Sequence, residues 1–161
     1  MKQLFVLFLS LAVVFSAQAQ NKTIVGEWKI SSFSGDGLSI DLENPSASKK
    51  ALGEALKKEM GSEPDSSMIE LTYNMLVPTF NSMSITFLND GKAIYQSADK
   101  NGKIISDTAS YTADLTKGLL TTITKEGEAE KKETGVISFE NDLLVIRHDD
   151  RGETIKLKKV K

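Results

Sequence analysis

Two kinds of periodicity divide the chain. Apolar and polar residues alternate with a period of two from residue 24 to 33 and again from 82 to 160, whereas from 46 to 78 apolar residues recur every three or four positions. A period of two puts alternate side chains on opposite faces of a strand, and the longer spacing gives a helix one apolar face. The pattern therefore predicts β-strands on both sides of a helical insert.

Local signals divide the insert into two helices. Ser46 or Ser48 can cap the first helix, because a serine side chain at the N-cap accepts a hydrogen bond from a free backbone N–H. Gly61 can end this helix, since glycine readily adopts the left-handed conformation found at helix C-termini. Asp65 or the serine after it can cap the second helix, and Pro78 is expected to end that helix.

Eight strands are predicted around the insert. The first spans residues 24–33 and points Trp28 to the inside, and the segment 38–45 fits either a short strand or an extended connection. Residues 126–132 are predicted to form a charged, solvent-facing loop. Seven strands follow the insert in hairpin order, at residues 82–88, 93–97, 103–113, 119–125, 134–139, 143–148 and 153–160.

The order of these elements indicates a fold class. Short strands joined by tight turns favour an up-and-down barrel over a sandwich with crossover connections. Closure of the barrel also removes the free edge that the last strand would otherwise expose. The sequence therefore predicts an all-β protein, an eight-stranded antiparallel up-and-down β-barrel with a two-helix insert between the first and second strands.

The N-terminus has the three parts of a secretory signal peptide. Lys2 is followed by an apolar run and then by a small-x-small cleavage site that ends at Ala19. The apolar run is too short to anchor the chain across a bilayer. We therefore predict a signal peptide at residues 1–19 and one domain at residues 20–161.

Composition narrows the class of protein further. The chain has no cysteine, which excludes a disulfide framework, a cysteine metal site and a lipid-modified N-terminal cysteine. The net charge of −2 becomes −3 when Lys2 leaves with the signal, and charges of both signs are interspersed. Nucleic acid partners call for a basic patch, so none is expected. We expect a soluble, periplasmic or secreted protein that does not span the membrane.

The first strand carries a motif of a known family. Gly26-x-Trp28 resembles the opening motif of the lipocalin and calycin superfamily, and residues 24–29 look like the start of secreted bacterial lipocalin-like domains. Three later segments are similar to other parts of these domains: residues 89–92, 143–146 and 153–160.

This resemblance implies roles for several parts of the chain. It implies that the tryptophan closes one end of the barrel and that a basic side chain near the last strand packs across the indole. Lys159 alternates in step with the inward-facing residues of the last strand and is therefore the candidate for this basic side chain. Arg147, on the preceding strand, is the alternative. The helix pair resembles the lid that fatty-acid-binding proteins carry at the same point of the chain.

Inward-facing residues and the methionines around the insert are the candidate ligand contacts. An eight-stranded barrel either fills with side chains or holds one small ligand, and methionine suits apolar surfaces that adapt to varied ligands. Each of these residues also fits a packed core. The candidates are Trp28, Ile30, Met68, Met75, Met83, Ile85, Phe87, Tyr95, Tyr111 and Phe139.

Catalytic and metal-binding patterns are lacking. His148 is the only histidine, and no serine or cysteine nucleophile accompanies it in a recognisable pattern. Asp149, Asp150 and Glu153 could gather around a calcium ion, but Asp-Asp-Arg-Gly is ordinary turn chemistry. We expect no enzymatic activity, no metal and no cofactor.

Two functions fit these expectations. The first is an exported binding protein that holds a small hydrophobic or amphipathic molecule in the barrel, with the helix pair as a lid. The alternative is a filled-barrel domain for protein interaction or structure, without a small-molecule ligand. A solidly packed interior would refute the first hypothesis, and a large exposed apolar patch on the insert would favour the second.

Overall fold

A computed structural model of the protein describes residues 23–99, 101–127 and 129–160. The predicted signal peptide lies outside these residues. The described chain forms nine strands and two helices, in the order β1 (Gly26–Gly35), β2 (Leu38–Asp41), α1 (Pro45–Met60), α2 (Ser66–Ser82), β3 (Ser84–Phe87), β4 (Lys92–Ala98), β5 (Ile104–Asp114), β6 (Leu119–Glu126), β7 (Ala129–Glu140), β8 (Leu143–His148) and β9 (Glu153–Lys159).

The strands close into an antiparallel barrel. Each strand from β3 to β9 pairs with the next, and β9 returns to pair with β1. On its other side β1 pairs with two strands in succession, with β3 along residues 26–29 and with β2 along residues 32–35. Because β2 and β3 share one side of β1, the nine strands occupy eight positions around the barrel. The predicted eight-stranded up-and-down barrel is confirmed.

Strand β2 lies in the segment for which the sequence allowed either a strand or a connection. It follows a two-residue turn in which Asp36 and Gly37 both have positive φ, 51° and 79°. This is the backbone of a tight β-hairpin. The helix pair consequently lies between β2 and β3, one short strand later than predicted.

The predicted C-terminus of α1 is confirmed, and the predicted N-cap is wrong. Gly61 ends the helix with φ of 70°, and its N–H donates to the Lys57 carbonyl at 2.9 Å, as expected. The predicted serine caps are wrong, because Asn44 caps the helix by accepting a hydrogen bond from the Ala47 N–H at 3.1 Å. Ser48 is instead buried and bonds the backbone N–H and carbonyl of Asp41, at 2.7 and 2.8 Å.

Helix α2 begins as predicted and ends later than predicted. Asp65 caps it by accepting a hydrogen bond from the Met68 N–H at 2.7 Å. Pro78 does not end the helix, which continues to Ser82. Its last turn is held by the barrel, since the rings of Phe80 and Phe33 lie 5.7 Å apart.

The helices pack beside the barrel. Helix α1 lies against β2, and α2 contacts β4 and β1. The two helices meet closely at Gly53, where a β-carbon would lie 3.1 Å from Cδ1 of Ile69. Within the described residues, neither helix is both long and apolar enough to cross a membrane.

One end of the barrel is filled by a hydrophobic core. The fully buried side chains there include Phe87, Leu144 and Leu157. Trp28 lies among them and donates from its indole N–H to the Ile24 carbonyl at 2.6 Å. We call this the closed end, and it includes the β3–β4, β5–β6 and β7–β8 turns. The opposite end includes the β4–β5, β6–β7 and β8–β9 turns.

Candidate functional site

A cavity of about 380 Å³ occupies the half of the barrel away from Trp28. Its apolar lining consists of side chains that belong to four different strands. Side chains alternate between the inside and the outside of the barrel along each strand. The residues that face the cavity therefore lie on the same inward face of the strand as the residues that form the core at the closed end. These apolar residues are Ile85, Leu120, Ile146 and Ile155.

Hydroxyl groups form the next part of the lining. Tyr95 on β4 and Thr122 on β6 face the cavity, and the Thr122 side chain acts on the titration of the Tyr95 phenol. Burial raises the pKa of the Tyr95 phenol, the Thr122 side chain opposes this shift, and the negative charge of Glu133 adds to it. Tyr95 therefore remains a neutral hydroxyl at physiological pH.

Charged side chains surround the mouth. Glu133 on β7 accepts from Lys131 Nζ at 3.0 Å and from Arg151 Nη1 at 3.3 Å, both at its Oε1 atom. Nε of Arg151 lies 3.1 Å from Oε2 of Glu153. We call these four residues the mouth network. Its two positive and two negative charges balance one another.

The mouth network lowers the pKa of Glu133, the carboxylate at its centre. The hydrogen bond from Lys131 lowers the pKa of Glu133, and the positive charge of Arg151 lowers it further, while partial burial acts in the opposite direction. Glu133 therefore stays ionised at physiological pH and holds both cations in place.

His148 enters the cavity wall because a glycine lies beside it. Gly135 is buried on β7, next to the last residue of β8. A β-carbon at Gly135 would lie 3.1 Å from Cε1 of His148 and 3.0 Å from the carbonyl oxygen of Arg147. The missing side chain thus leaves room for the imidazole against the barrel wall.

The structure separates the predicted ligand contacts into three groups. Ile85 and Tyr95 line the cavity. The helix residues Met68 and Met75 are exposed on α2, and Met83 is half-buried just before β3. The remaining candidates belong to or pack against the core: Trp28, Ile30, Phe87, Tyr111 and Phe139.

The closed end also contains the cation over the indole. Lys159 Nζ lies 5.3 Å from the centroid of the Trp28 ring. Arg147, the alternative, is exposed on β8, where its neighbours along the strand, Ile146 and His148, face the cavity. The contact between Lys159 and Trp28 is of the cation–π type, which contributes on the order of 0.5–2 kcal/mol depending on desolvation.

Sequence reasoning missed most of the charged lining. It assigned residues 126–132 to a loop, whereas β7 begins at Ala129. Strand parity could have found these residues, because Lys131 and Glu133 alternate in step with the inward-facing Ile137. Asp107 on β5 and Thr124 on β6 also line the cavity without having been predicted to do so.

The arrangement is suited to holding a molecule with an apolar part and a polar part. The apolar lining lies toward the core, and the polar groups lie toward the mouth. Among the described residues, no group of three or more histidine, aspartate or glutamate side chains is placed to hold a metal ion.

Comparison with known proteins identifies the fold. No protein-family model and no curated protein matches the chain. The crystal structure of a lipocalin-like protein from Bacteroides uniformis ATCC 8492 matches with a TM-score of 0.51 and 12% identity, over 84% of this chain and 97% of that one. That of a DUF4847 family protein from Bacteroides vulgatus ATCC 8482 matches with a TM-score of 0.53 and 12% identity, over 84% and 93%. This chain therefore has a lipocalin-like fold.

Proposed function

We propose that the protein is an exported binding protein that holds one small amphipathic molecule in the open half of its barrel. The observation that carries this proposal is the cavity itself, about 380 Å³ in volume, with an apolar lining toward the core and hydroxyl and charged groups toward the mouth. Ligand pockets in proteins commonly measure about 300–1,000 Å³ and combine mostly apolar walls with a few polar groups. The volume fits a small ligand.

The size of the cavity sets a scale for affinity. A ligand that removes roughly 200 Å² of apolar surface from water gains about 5 kcal/mol, at about 25 cal/mol per Å². A dissociation constant of 1 μM corresponds to about 8 kcal/mol, and association has its own entropic cost. Apolar burial alone therefore supports weak binding, and the polar groups of the mouth are needed for micromolar affinity.

The helix pair is proposed to act as a lid from the side. Strand β3 is short and leaves Ser97 and Ala98 of β4 without a partner on that side. The end of α2 takes its place, since the Ala98 N–H donates to the Ser82 hydroxyl at 2.9 Å. Among the described residues, the side chains that line the cavity come from strands and their turns, and none comes from α1 or α2. Because α2 covers the edge of β4 that β3 leaves unpaired, a small movement of α2 away from β4 would open this side of the barrel without unfolding it.

A pair of variants on neighbouring positions tests the binding function. Thr122 lines the cavity, whereas Thr121, the residue before it, faces the outside of the barrel opposite Thr134. Thr122→Phe is expected to fill part of the cavity and to weaken binding of an apolar fluorescent probe by at least about tenfold. Thr121→Phe adds the same ring outside and should bind the probe like the parent.

The natural cargo is sought in the same experiment. Native mass spectrometry of the protein purified from its own organism should show a stoichiometric small-molecule adduct that is lost on organic extraction. The Thr122→Phe variant, purified in the same way, should lack it. A bare polypeptide mass together with no probe binding by the parent would refute the proposal.

The alternative function rests on a different surface. Leu71 and Met75 are 63% and 68% exposed on α2, and Met68 lies one turn before Leu71 on the same helix. An apolar stripe of this kind could contact a protein partner. If the protein is an interaction domain, Leu71→Glu with Met75→Glu would abolish partner capture, whereas Thr122→Phe would leave it unchanged.

A further inference from the structure

The charges that line the cavity are not equally available to a ligand. Apart from His148, the lining formed by the described residues carries the negative charges of Asp107, Glu133 and Glu153 and the positive charges of Lys131 and Arg151. The mouth network accounts for all of these except one. Asp107 is the carboxylate left outside it.

The two cations are already held by carboxylates. Arg151 lies between Glu133 and Glu153, at 3.3 and 3.1 Å, and Lys131 shares the same Glu133 oxygen at 3.0 Å. An anionic head group would have to compete with these ion pairs, and it would bring a further negative charge beside two carboxylates. The mouth network therefore disfavours an anionic ligand.

Asp107 is differently placed. In a barrel of eight positions, β5 and β9 are four positions apart, so Asp107 lies across the mouth from Glu153. Its direct cross-strand neighbour is Tyr95. Asp107 is exposed, and its side chain makes no ion pair or hydrogen bond with the described residues. Its carboxylate can thus accept hydrogen bonds from a ligand without breaking an existing contact.

Asp107 is not the only carboxylate that acts on this part of the cavity. The pKa of the neighbouring Tyr95 phenol is raised first by burial and also by the negative charge of Glu133. A positive group bonded to Asp107 beside Tyr95 would therefore have a second carboxylate in the same cavity.

We infer that the ligand is a cationic amphiphile, with its apolar part against Ile85, Leu120 and Ile146 and an ammonium-type head group bonded to Asp107. This inference rests on the proposed function and narrows its ligand class. An ion pair near the protein surface is worth up to about 1 kcal/mol, which corresponds to about fivefold in affinity.

Three probes of equal chain length test the inference at neutral pH. Octylamine, 1-octanol and octanoate are compared by calorimetry or by displacement of an apolar fluorescent probe. Octylamine is expected to bind about fivefold more tightly than 1-octanol, and octanoate more weakly than the alcohol. Asp107→Asn should reduce the affinity for octylamine to about that for the alcohol and leave the alcohol within about twofold.

A matched variant controls for net charge. Asp142 lies in the β7–β8 turn at the closed end, so Asp142→Asn removes the same charge far from the cavity. It should leave the preference for octylamine unchanged. If 1-octanol binds but octylamine has no advantage, or if Asp107→Asn does not remove that advantage, the inference is wrong and the proposed function stands. If none of the three probes binds, both are wrong.

Discussion

Gly135 offers a direct test of how the cavity wall is built. Its φ is not in the left-handed region, so the backbone at this position accepts a side chain. Alanine in place of glycine in a strand would ordinarily stabilise the protein by about 0.5–1 kcal/mol, because glycine loses more conformational freedom on folding. Here we expect the opposite sign.

The expected cost of Gly135→Ala comes from two contacts. The new methyl group would lie 3.0 Å from the Arg147 carbonyl oxygen and 3.1 Å from Cε1 of His148. The carbonyl belongs to the neighbouring strand and cannot move without disturbing its hydrogen bonds. Overpacking of this kind costs roughly 1–3 kcal/mol, and subtracting the entropic gain of about 0.5–1 kcal/mol leaves a net destabilisation of about 1 kcal/mol at the middle of both ranges. For a domain of this size that lowers the melting temperature by about 3–5 °C.

A double-mutant cycle separates the two contacts. Thermal unfolding of Gly135→Ala, His148→Ala and the double variant gives the coupling between the two positions. If the imidazole is one of the two groups that the new methyl group meets too closely, the loss of stability caused by Gly135→Ala should be smaller in the His148→Ala background. The loss that remains measures the contact with the Arg147 carbonyl. A Gly135→Ala variant as stable as the parent would refute this account of the wall.

Two further predictions concern the mouth. Because the folded-state pKa of Glu133 is lowered, chiefly by Lys131, its contribution to stability is present above the ordinary glutamate pKa of about 4.3 and is lost as the pH falls through the lower folded value. Glu133→Gln should therefore melt lower than the parent at pH 6, by no more than about 4 °C, because a partly exposed network contributes less than about 1 kcal/mol. This difference in melting temperature should shrink toward pH 3. Glu130→Gln is the control, and a difference that stays constant with pH would contradict the role given to the Glu133 carboxylate. For the lid, Ser82→Cys with Ala98→Cys places thiols where the Ser82 hydroxyl lies 2.9 Å from the Ala98 N–H, in a chain without other cysteines. The oxidised form should bind the apolar probe several-fold more slowly than the reduced form, and equal association rates would argue against a lid on this side.

The sequence predicted the barrel because its strongest signals are local. Alternation along β1, β3, β8 and β9 and the turn residues between them specify hairpins regardless of what surrounds them. Strand β2 also had such a signal. Asp36-Gly37 is a turn pair typical of two-residue hairpins, and only the shortness of the strand that follows concealed it.

The helix termini show where local signals compete. Asn44 precedes two serines that are equally good caps by residue type, and the choice depends on Ser48 being drawn to the backbone of Asp41 on β2. Pro78 weakens one turn of α2, but the contacts of Phe80 with Phe33 on the barrel hold the last turn in place. Both outcomes are decided by tertiary contacts that the local sequence does not contain.

The cavity could be predicted only in part for a related reason. Apolar residues such as Ile85 were assigned to the interior correctly. Lysine and glutamate are usually exposed, so Lys131 was assigned to a solvent-facing loop and Glu133 to neither that loop nor the strand after it. Strand parity could have placed them on the inward face, but their ion-pair network depends on a partner more than 15 residues away, Arg151. No local pattern specifies that such charges will find each other across strands.

The two halves of the barrel differ in how much they contribute to the stability of the fold. The closed end buries large apolar side chains around Trp28 and so supplies the hydrophobic stabilisation of the fold. The open end contains balanced ion pairs that are partly exposed, and these contribute little to stability. Substitutions at the mouth such as Asp107→Asn should therefore change affinity with little change in melting temperature. This separation makes differences in ligand binding between such variants interpretable as effects on the site and not on folding.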